Sequence, residues 1–109
     1  MLRRPGHNGN NSHFGNIVLG RLALREGHLE EAKQRLLQAG QTSGSPNLNS
    51  FGPNMALAKE LLQQGESAVV LEYFELCSRF WKSNRGRLAE WATTVKEGKI
   101  PNFGANLIY

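Results

Sequence analysis

Residues 16–39 decide the fold, and they read NIVLGRLALREGHLEEAKQRLLQA. Apolar residues recur at three- and four-residue steps in both halves of this stretch, which is the spacing of one face of an α-helix. Gly27 and His28 interrupt the pattern, and glycine is typical of a helix end because it adopts a positive φ without strain. Two helices joined by so short a turn fold back on each other, so the stretch predicts an antiparallel helical hairpin.

A second copy of this pattern follows 38 positions later, with Asn54 aligned on Asn16. It reads NMALAKELLQQGESAVVLEYFELC over residues 54–77. Small residues align with small ones and apolar residues with apolar ones. The aligned pairs are Leu19 with Leu57, Gly20 with Ala58, Ala23 with Leu61, Gly27 with Gly65, Ala32 with Val70, Leu36 with Phe74, and Ala39 with Cys77. An internal repeat of this length predicts two stacked helical units, since each unit buries its apolar face only against a neighbour.

The remaining sequence sets the boundaries of the predicted all-α superhelix, which has five helices. The linker at residues 41–53 is rich in Gly, Ser, Pro and Asn. Leu88, Trp91 and Val95 form one apolar stripe, which predicts a helix that caps the last hairpin. The predicted segments are a flexible tail at 1–12, hairpins at 14–39 and 54–82, a cap helix at 84–98 and an extended tail at 100–109, with 13–99 as the helical domain. The sequence Phe-Gly, followed closely by Asn, precedes each hairpin and recurs in the C-terminal tail.

The aligned small and apolar positions resemble a known repeat family. The order Leu19-Gly20, Ala23, Gly27, Ala32, Leu36, Ala39 is similar to the tetratricopeptide repeat (TPR). The spacing of 38 positions exceeds the family's usual length of about 34, and the extra residues fall in the Gly/Ser/Pro-rich linker. The resemblance implies that small residues let neighbouring backbones approach. It also implies a module that binds another protein or a peptide.

In that family the first helix of each hairpin lines a concave binding face. The exposed candidates for such a face are Asn16, Arg21, Arg25, Asn54, Lys59 and Gln63. Arg21 aligns with Lys59, and two stacked cations suit a carboxylate or an acidic peptide through charge-assisted hydrogen bonds. The alternative interpretation is that Asn16 and Asn54 only cap helices and that the cations only keep the surface soluble.

The residue types that commonly serve in catalysis or metal binding show no recognisable pattern in this sequence. His7, His13 and His28 lack both the i,i+4 spacing and the paired cysteines of metal sites. Cys77 lies on an apolar stripe, which predicts an inert buried thiol. We therefore expect no enzymatic activity, no cofactor and no metal. Because no stretch approaches about 20 apolar residues and no export signal is visible, we expect a soluble cytoplasmic protein without a membrane partner.

Two other functions remain open from the sequence. The net charge of +4 favours acidic partners, and nucleic acid is one alternative. The densest basic patch for it comprises Arg79, Lys82, Arg85 and Arg87 with Trp81. Interspersed glutamates favour an ordinary solvated surface instead. The other alternative is a homo-oligomeric structural domain of a larger assembly, associating through the C-terminal tail or through Tyr73, Phe80 and Trp81. The alternative is that the predicted cap helix covers those rings within the chain.

Overall fold

Helices make up all the regular structure in residues 9–42 and 44–108, the part of the chain that the computed structural model describes. The α-helices are α1 (Gly9–Arg25), α2 (Leu29–Gly40), α3 (Pro46–Phe51), α4 (Ala56–Gln63), α5 (Ser67–Cys77) and α6 (Arg87–Lys96), followed by a 3-10 helix (Gly104–Leu107). No strand occurs within these residues, so the all-α prediction is confirmed. None of the helices described is long and apolar enough to cross a membrane.

The turns of the two hairpins, α1–α2 and α4–α5, are built alike. Two N–H groups in each turn donate to carbonyl groups near the end of the preceding helix. The bonds are His28 to Ala23 (2.9 Å) and Gly27 to Leu24 (3.1 Å) in the first turn, and Glu66 to Leu61 (3.0 Å) and Gly65 to Leu62 (3.0 Å) in the second. Gly27 and Gly65 have φ values of 81° and 83°. The internal repeat therefore extends from the sequence to individual backbone hydrogen bonds.

Small residues occupy interior positions of the helices, as the sequence predicts. Gly20, Ala32, Ala39 and Ala58 are all buried. A Cβ atom on Gly20 would overlap the δ-methyl group of Leu57 in α4 and would lie 3.0 Å from the Cβ of Arg35 in α2. The missing side chain at position 20 therefore lets both α2 and α4 pack closely on α1.

Two segments predicted to lack regular structure contain helix. Residues 1–8 of the predicted N-terminal tail lie outside the described residues, but 9–12 already belong to α1. The linker contains α3, because Ser45 accepts a hydrogen bond from the Leu48 N–H (3.2 Å) and Pro46 occupies the first turn. An N-cap serine followed by proline is a strong helix start. The linker helix α3, which the five-helix prediction lacks, therefore had a signal in the sequence.

The C-terminal third also differs from the predicted boundaries. Helix α5 ends at Cys77 instead of reaching residue 82, because the following turn directs the adjacent residues Phe80 and Trp81 into the interior. Helix α6 begins only at Arg87, since Asn84 Oδ1 accepts the N–H of Gly86 (2.9 Å) in a tight turn before the helix. The tail, predicted as extended, contains the 3-10 helix at residues 104–107, and its last residue, 109, lies outside the described part.

Helix α6 covers the aromatic face of the second hairpin. The Trp91 ring lies 5.8 Å from the Trp81 ring and 6.1 Å from the Phe74 ring, measured between centroids. Phe103 from the C-terminal tail packs edge-on against Trp91 at 4.9 Å. Tyr73, Phe80 and Trp81 are all buried, so these rings are covered from within the chain.

The loop at residues 51–55 is held by side chains from three distant parts of the chain. The Asn54 N–H donates to Nε2 of His13 (2.8 Å), and the Tyr73 hydroxyl donates to the Asn54 carbonyl (2.8 Å). The Asn106 side-chain amide donates to the carbonyls of Phe51 (2.9 Å) and Pro53 (3.0 Å). The Phe-Gly segment before the second hairpin (51–54) is thus bonded to the one in the C-terminal tail (103–106).

His13 is a buried neutral histidine that joins the two hairpins. Its Nδ1 donates to the carbonyl of Ala39 (3.0 Å), while Nε2 accepts from Asn54. Burial lowers the pKa of His13 below its usual value of 6.5, and the hydrogen bond to Ala39 opposes this only in part. A second proton on the ring would point at the Asn54 N–H, so the neutral form suits both bonds.

Candidate functional site

Arg21, the central residue of the predicted binding face, is engaged within the protein. Its Nη2 lies 3.0 Å from Glu60 Oε2, and its Nε lies 3.2 Å from both carboxylate oxygens. This pair joins α1 to α4. Because a carboxylate of the same chain compensates the guanidinium, Arg21 and Lys59 do not form the pair of stacked, unpaired cations that the alignment predicts.

The two asparagines of the predicted face also have structural partners. Asn16 Oδ1 accepts a hydrogen bond from Arg35 Nη1 (3.1 Å). Asn54 was expected to be exposed, and this is wrong, because the residue is only 7% exposed. Its Oδ1 accepts from the Ala56 N–H (2.8 Å), so its side chain satisfies the first N–H of α4, although the N-cap position itself is Met55. Asn16 lies inside α1 and does not cap it.

The other three predicted residues remain at the surface. Arg25 and Gln63 are exposed, and Lys59 is half-buried. Within the described residues neither Arg25 nor Lys59 forms an ion pair. The first-helix face therefore keeps two cations and an amide, but not the arrangement on which the prediction rested.

A more strongly basic concavity lies elsewhere, where the linker helix, the loop before α6 and the C-terminal tail meet. It encloses about 440 Å³, and we call it the Arg85/Arg87 groove. Its lining residues are Ser50, Phe51, Ser83, Arg85, Arg87, Ala105 and Asn106. A second concavity of about 360 Å³ adjoins it through Arg87, Ala105 and Asn106. The two concavities share these three residues, and their linings come from segments that are far apart in the sequence.

The charge of the Arg85/Arg87 groove is positive and uncompensated by its own lining. Arg85 and Arg87 are exposed, and no ion pair involves either of them in the described part of the chain. None of the described lining residues of the groove is acidic, and the nearest carboxylate along α6, that of Glu90, lines the adjoining concavity. Arg87 also opens α6, whose N-terminus carries a partial positive charge. These features suit a carboxylate or another anion.

Apolar and neutral polar groups complete the groove. Phe51 is 52% exposed at its edge, which is high for a phenylalanine, and it offers a surface for an apolar side chain. The Ser83 hydroxyl donates to the Asn49 carbonyl (2.7 Å), and the Asn106 amide is occupied by the loop carbonyls. The two arginines are therefore the main polar groups with which the groove can bind a ligand.

The structure divides the basic patch that the sequence suggested for nucleic acid. Arg85 and Arg87 line the groove, whereas Trp81 is fully buried and offers no face for a base to stack on. Lys82 bonds to the Ser78 carbonyl (3.2 Å) on the adjacent turn. The sequence thus identified the two groove arginines, but the buried position of Trp81 followed only from the tertiary structure.

Cys77 and His28, two residues of types that can act in catalysis, differ in their burial. Cys77 is buried beside Tyr73, and burial raises the pKa of its thiol, which leaves little nucleophilic thiolate. His28 lies at the surface between Glu26 (3.9 Å) and Glu31 (3.8 Å). No cluster of three or more potential metal ligands occurs among the residues described. His7 lies outside them.

Comparison with known protein families, with curated proteins and with solved structures gives no significant match.

Proposed function

We propose that this chain is a non-catalytic, TPR-like helical scaffold that binds an acidic segment of another protein. The observation that carries the proposal is the Arg85/Arg87 groove, in which two exposed guanidinium groups line a concavity that has no acidic side chain among its described lining residues. Guanidinium groups bind carboxylates in a bidentate manner, and such charge-assisted bonds contribute about 1.5–3 kcal/mol each. The cytoplasmic location expected from the sequence belongs to the same proposal.

The repeat architecture supports a scaffold. The two hairpins repeat each other down to their turn hydrogen bonds, and α6 and the C-terminal tail close one end. A rigid base of this kind holds groove residues from separate segments in fixed positions, which reduces the entropy lost on binding. The half-exposed Phe51 favours a ligand in which apolar residues alternate with acidic ones.

The test is the binding of a fluorescein-labelled peptide of alternating Glu and Leu, followed by anisotropy at about physiological salt. A peptide with Gln in place of Glu is the ligand control. The protein variants are Arg85→Glu/Arg87→Glu and, as a control with the same charge change, Arg25→Glu/Lys59→Glu. We expect the first variant to lose at least about tenfold in affinity, since each tenfold step corresponds to about 1.4 kcal/mol. We expect the control variant to bind like the wild type.

Two outcomes would overturn the proposal. If only Arg25→Glu/Lys59→Glu loses affinity, the ligand binds the first-helix face instead of the groove. If a single-stranded DNA oligonucleotide binds more tightly than the peptide, with an affinity that falls steeply as salt rises, the groove belongs to a nucleic-acid-binding protein. Far-UV circular dichroism of both variants checks that they fold.

A further inference from the structure

The outer face of α1 carries an apolar stripe that the rest of the described chain leaves uncovered. Val18, Leu19 and Leu22 are 62%, 43% and 48% exposed. With Gly15 they occupy positions i, i+3, i+4 and i+7, which lie on one side of a helix. We call these four residues the α1 stripe. The opposite side of α1, with Ile17, Gly20 and Ala23, packs against α2 and α4.

The internal repeat shows what this kind of face does elsewhere in the molecule. Helix α4 docks on α1 through Leu57, which contacts Gly20, and through Glu60, which pairs with Arg21. Shifted back by the repeat length of 38, Leu57 corresponds to Leu19 and Glu60 to Leu22. The α1 stripe is therefore the counterpart of a surface that is already a helix–helix interface. The change from Glu60 to Leu22 replaces an ion-pairing group with an apolar one.

We propose that the α1 stripe is a docking surface for a second copy of this chain, with the two α1 helices antiparallel about a two-fold axis. Such an interface must be complementary to itself. A two-fold axis between positions 18 and 19 sets Val18 opposite Leu19 of the second copy and Leu22 opposite Gly15. The smallest residue of the stripe thus faces a large one, just as Gly20 receives Leu57 within the chain.

Space and charge both agree with this register. A Cβ atom built on Gly15 has no neighbouring atom within 4 Å, so room exists there for the opposing Leu22. The register sets Arg25 opposite position 12 and Glu26 opposite position 11, and neither of those positions is charged. Neither of these two charged residues therefore faces a like charge in this register.

The other end of the repeat array favours a closed pair over an open chain of copies. Helix α6 and Phe103 cover the outer surface of α5 through the Trp91 and Phe103 ring contacts. Among the described residues, a second copy therefore finds the α1 stripe uncovered and the outer surface of α5 covered. Head-to-head pairing of two α1 ends follows, since head-to-tail stacking would need a free surface at α5.

The test is sedimentation equilibrium of the whole chain from about 10 μM to about 1 mM, the range suited to a small interface. We expect a concentration-dependent monomer–dimer equilibrium, and Leu22→Glu should weaken the association constant at least about tenfold. Ile108→Glu is the control, because Ile108 is exposed but lies outside α1. Val18→Glu, at the most exposed position of the stripe, repeats the test should Leu22→Glu fold poorly. A chain that stays monomeric throughout, or dimers that Leu22→Glu leaves intact, would overturn the proposal.

Cysteine cross-linking tests the register. The native Cys77 is buried, so engineered surface cysteines are the reactive ones. A mixture of Gly15→Cys and Leu22→Cys chains should form a disulfide-linked dimer under mild oxidation, whereas Leu22→Cys alone should not. Cross-linking of Leu22→Cys alone would indicate parallel helices and would refute the antiparallel pair. Oligomers that grow beyond two copies would refute the closed arrangement.

Discussion

The neutral, buried His13 makes the stability of this protein dependent on pH in a defined direction. The folded-state pKa lies below the usual value of 6.5 because of burial, so as the pH falls the unfolded chain takes up this proton first. The stabilisation is complete above about pH 6.5 and is lost as the pH falls through the folded pKa. Between those two pKa values the free energy of unfolding should fall by about 1.4 kcal/mol for each pH unit.

The perturbation that isolates this effect is His13→Gln. The glutamine amide oxygen can still accept the Asn54 N–H, but the Ala39 carbonyl loses its donor. A buried polar group without a partner costs about 1–3 kcal/mol, so the variant should be less stable than the wild type at neutral pH by about that amount. Because glutamine does not titrate, the difference between the two proteins should shrink as the pH falls.

Urea unfolding followed by circular dichroism, at several values between about pH 7.5 and about pH 5, measures both proteins. The other histidines are common to the two chains, so their contributions cancel in the difference. An NMR titration of the folded wild type should also place the His13 pKa below the usual value of 6.5. Equal pH slopes for wild type and His13→Gln, or a His13 ring that titrates above 6.5 in the folded state, would refute the reasoning.

Three further predictions concern single positions. Gly52→Ala should destabilise the folded protein by about 2–6 kcal/mol in urea unfolding, since φ is 91° and a Cβ would lie 2.5 Å from the Trp81 ring. Its control is Gly27→Ala, which has open space around it and should cost only about 1 kcal/mol. Phe103→Ala should cost about 3–5 kcal/mol by the same assay, because the ring packs against Trp91, and a neutral result would mean that the C-terminal tail is not part of the core. Cys77 should react with a thiol reagent only at the rate of unfolding, and rapid labelling of the native protein would contradict its burial.

Local sequence determined the two hairpins. The three- and four-residue apolar spacing set the helical faces, and Gly27 and Gly65 ended the first helix of each pair through their positive φ. The small residues at positions 20, 32, 39 and 58 marked interior positions, and at position 20 only the missing side chain permits the close contact with Leu57. These features are readable from the sequence since each depends on residues only a few positions apart.

The candidate site was less predictable, because a surface is defined by what lies across from each residue. The sequence placed Arg21 on an open face, but Glu60, 39 positions away, pairs with it. It placed Asn54 at the surface, but the loop that contains Asn54 is bonded to three distant segments. It identified Arg85 and Arg87 as basic residues, whereas the groove around them exists only because Phe51 and Asn106 meet there.

By itself, then, the amino-acid sequence determined the helical class, the repeat and the hairpin turns, because periodicity and glycine chemistry act over one or two helical turns. The tertiary structure alone decided that His13 is a neutral bridge and that Phe103 belongs to the core. It alone also left the α1 stripe exposed. Burial and charge compensation arise from contacts between segments far apart in the chain, and the free energy of those contacts depends on the packed arrangement as a whole.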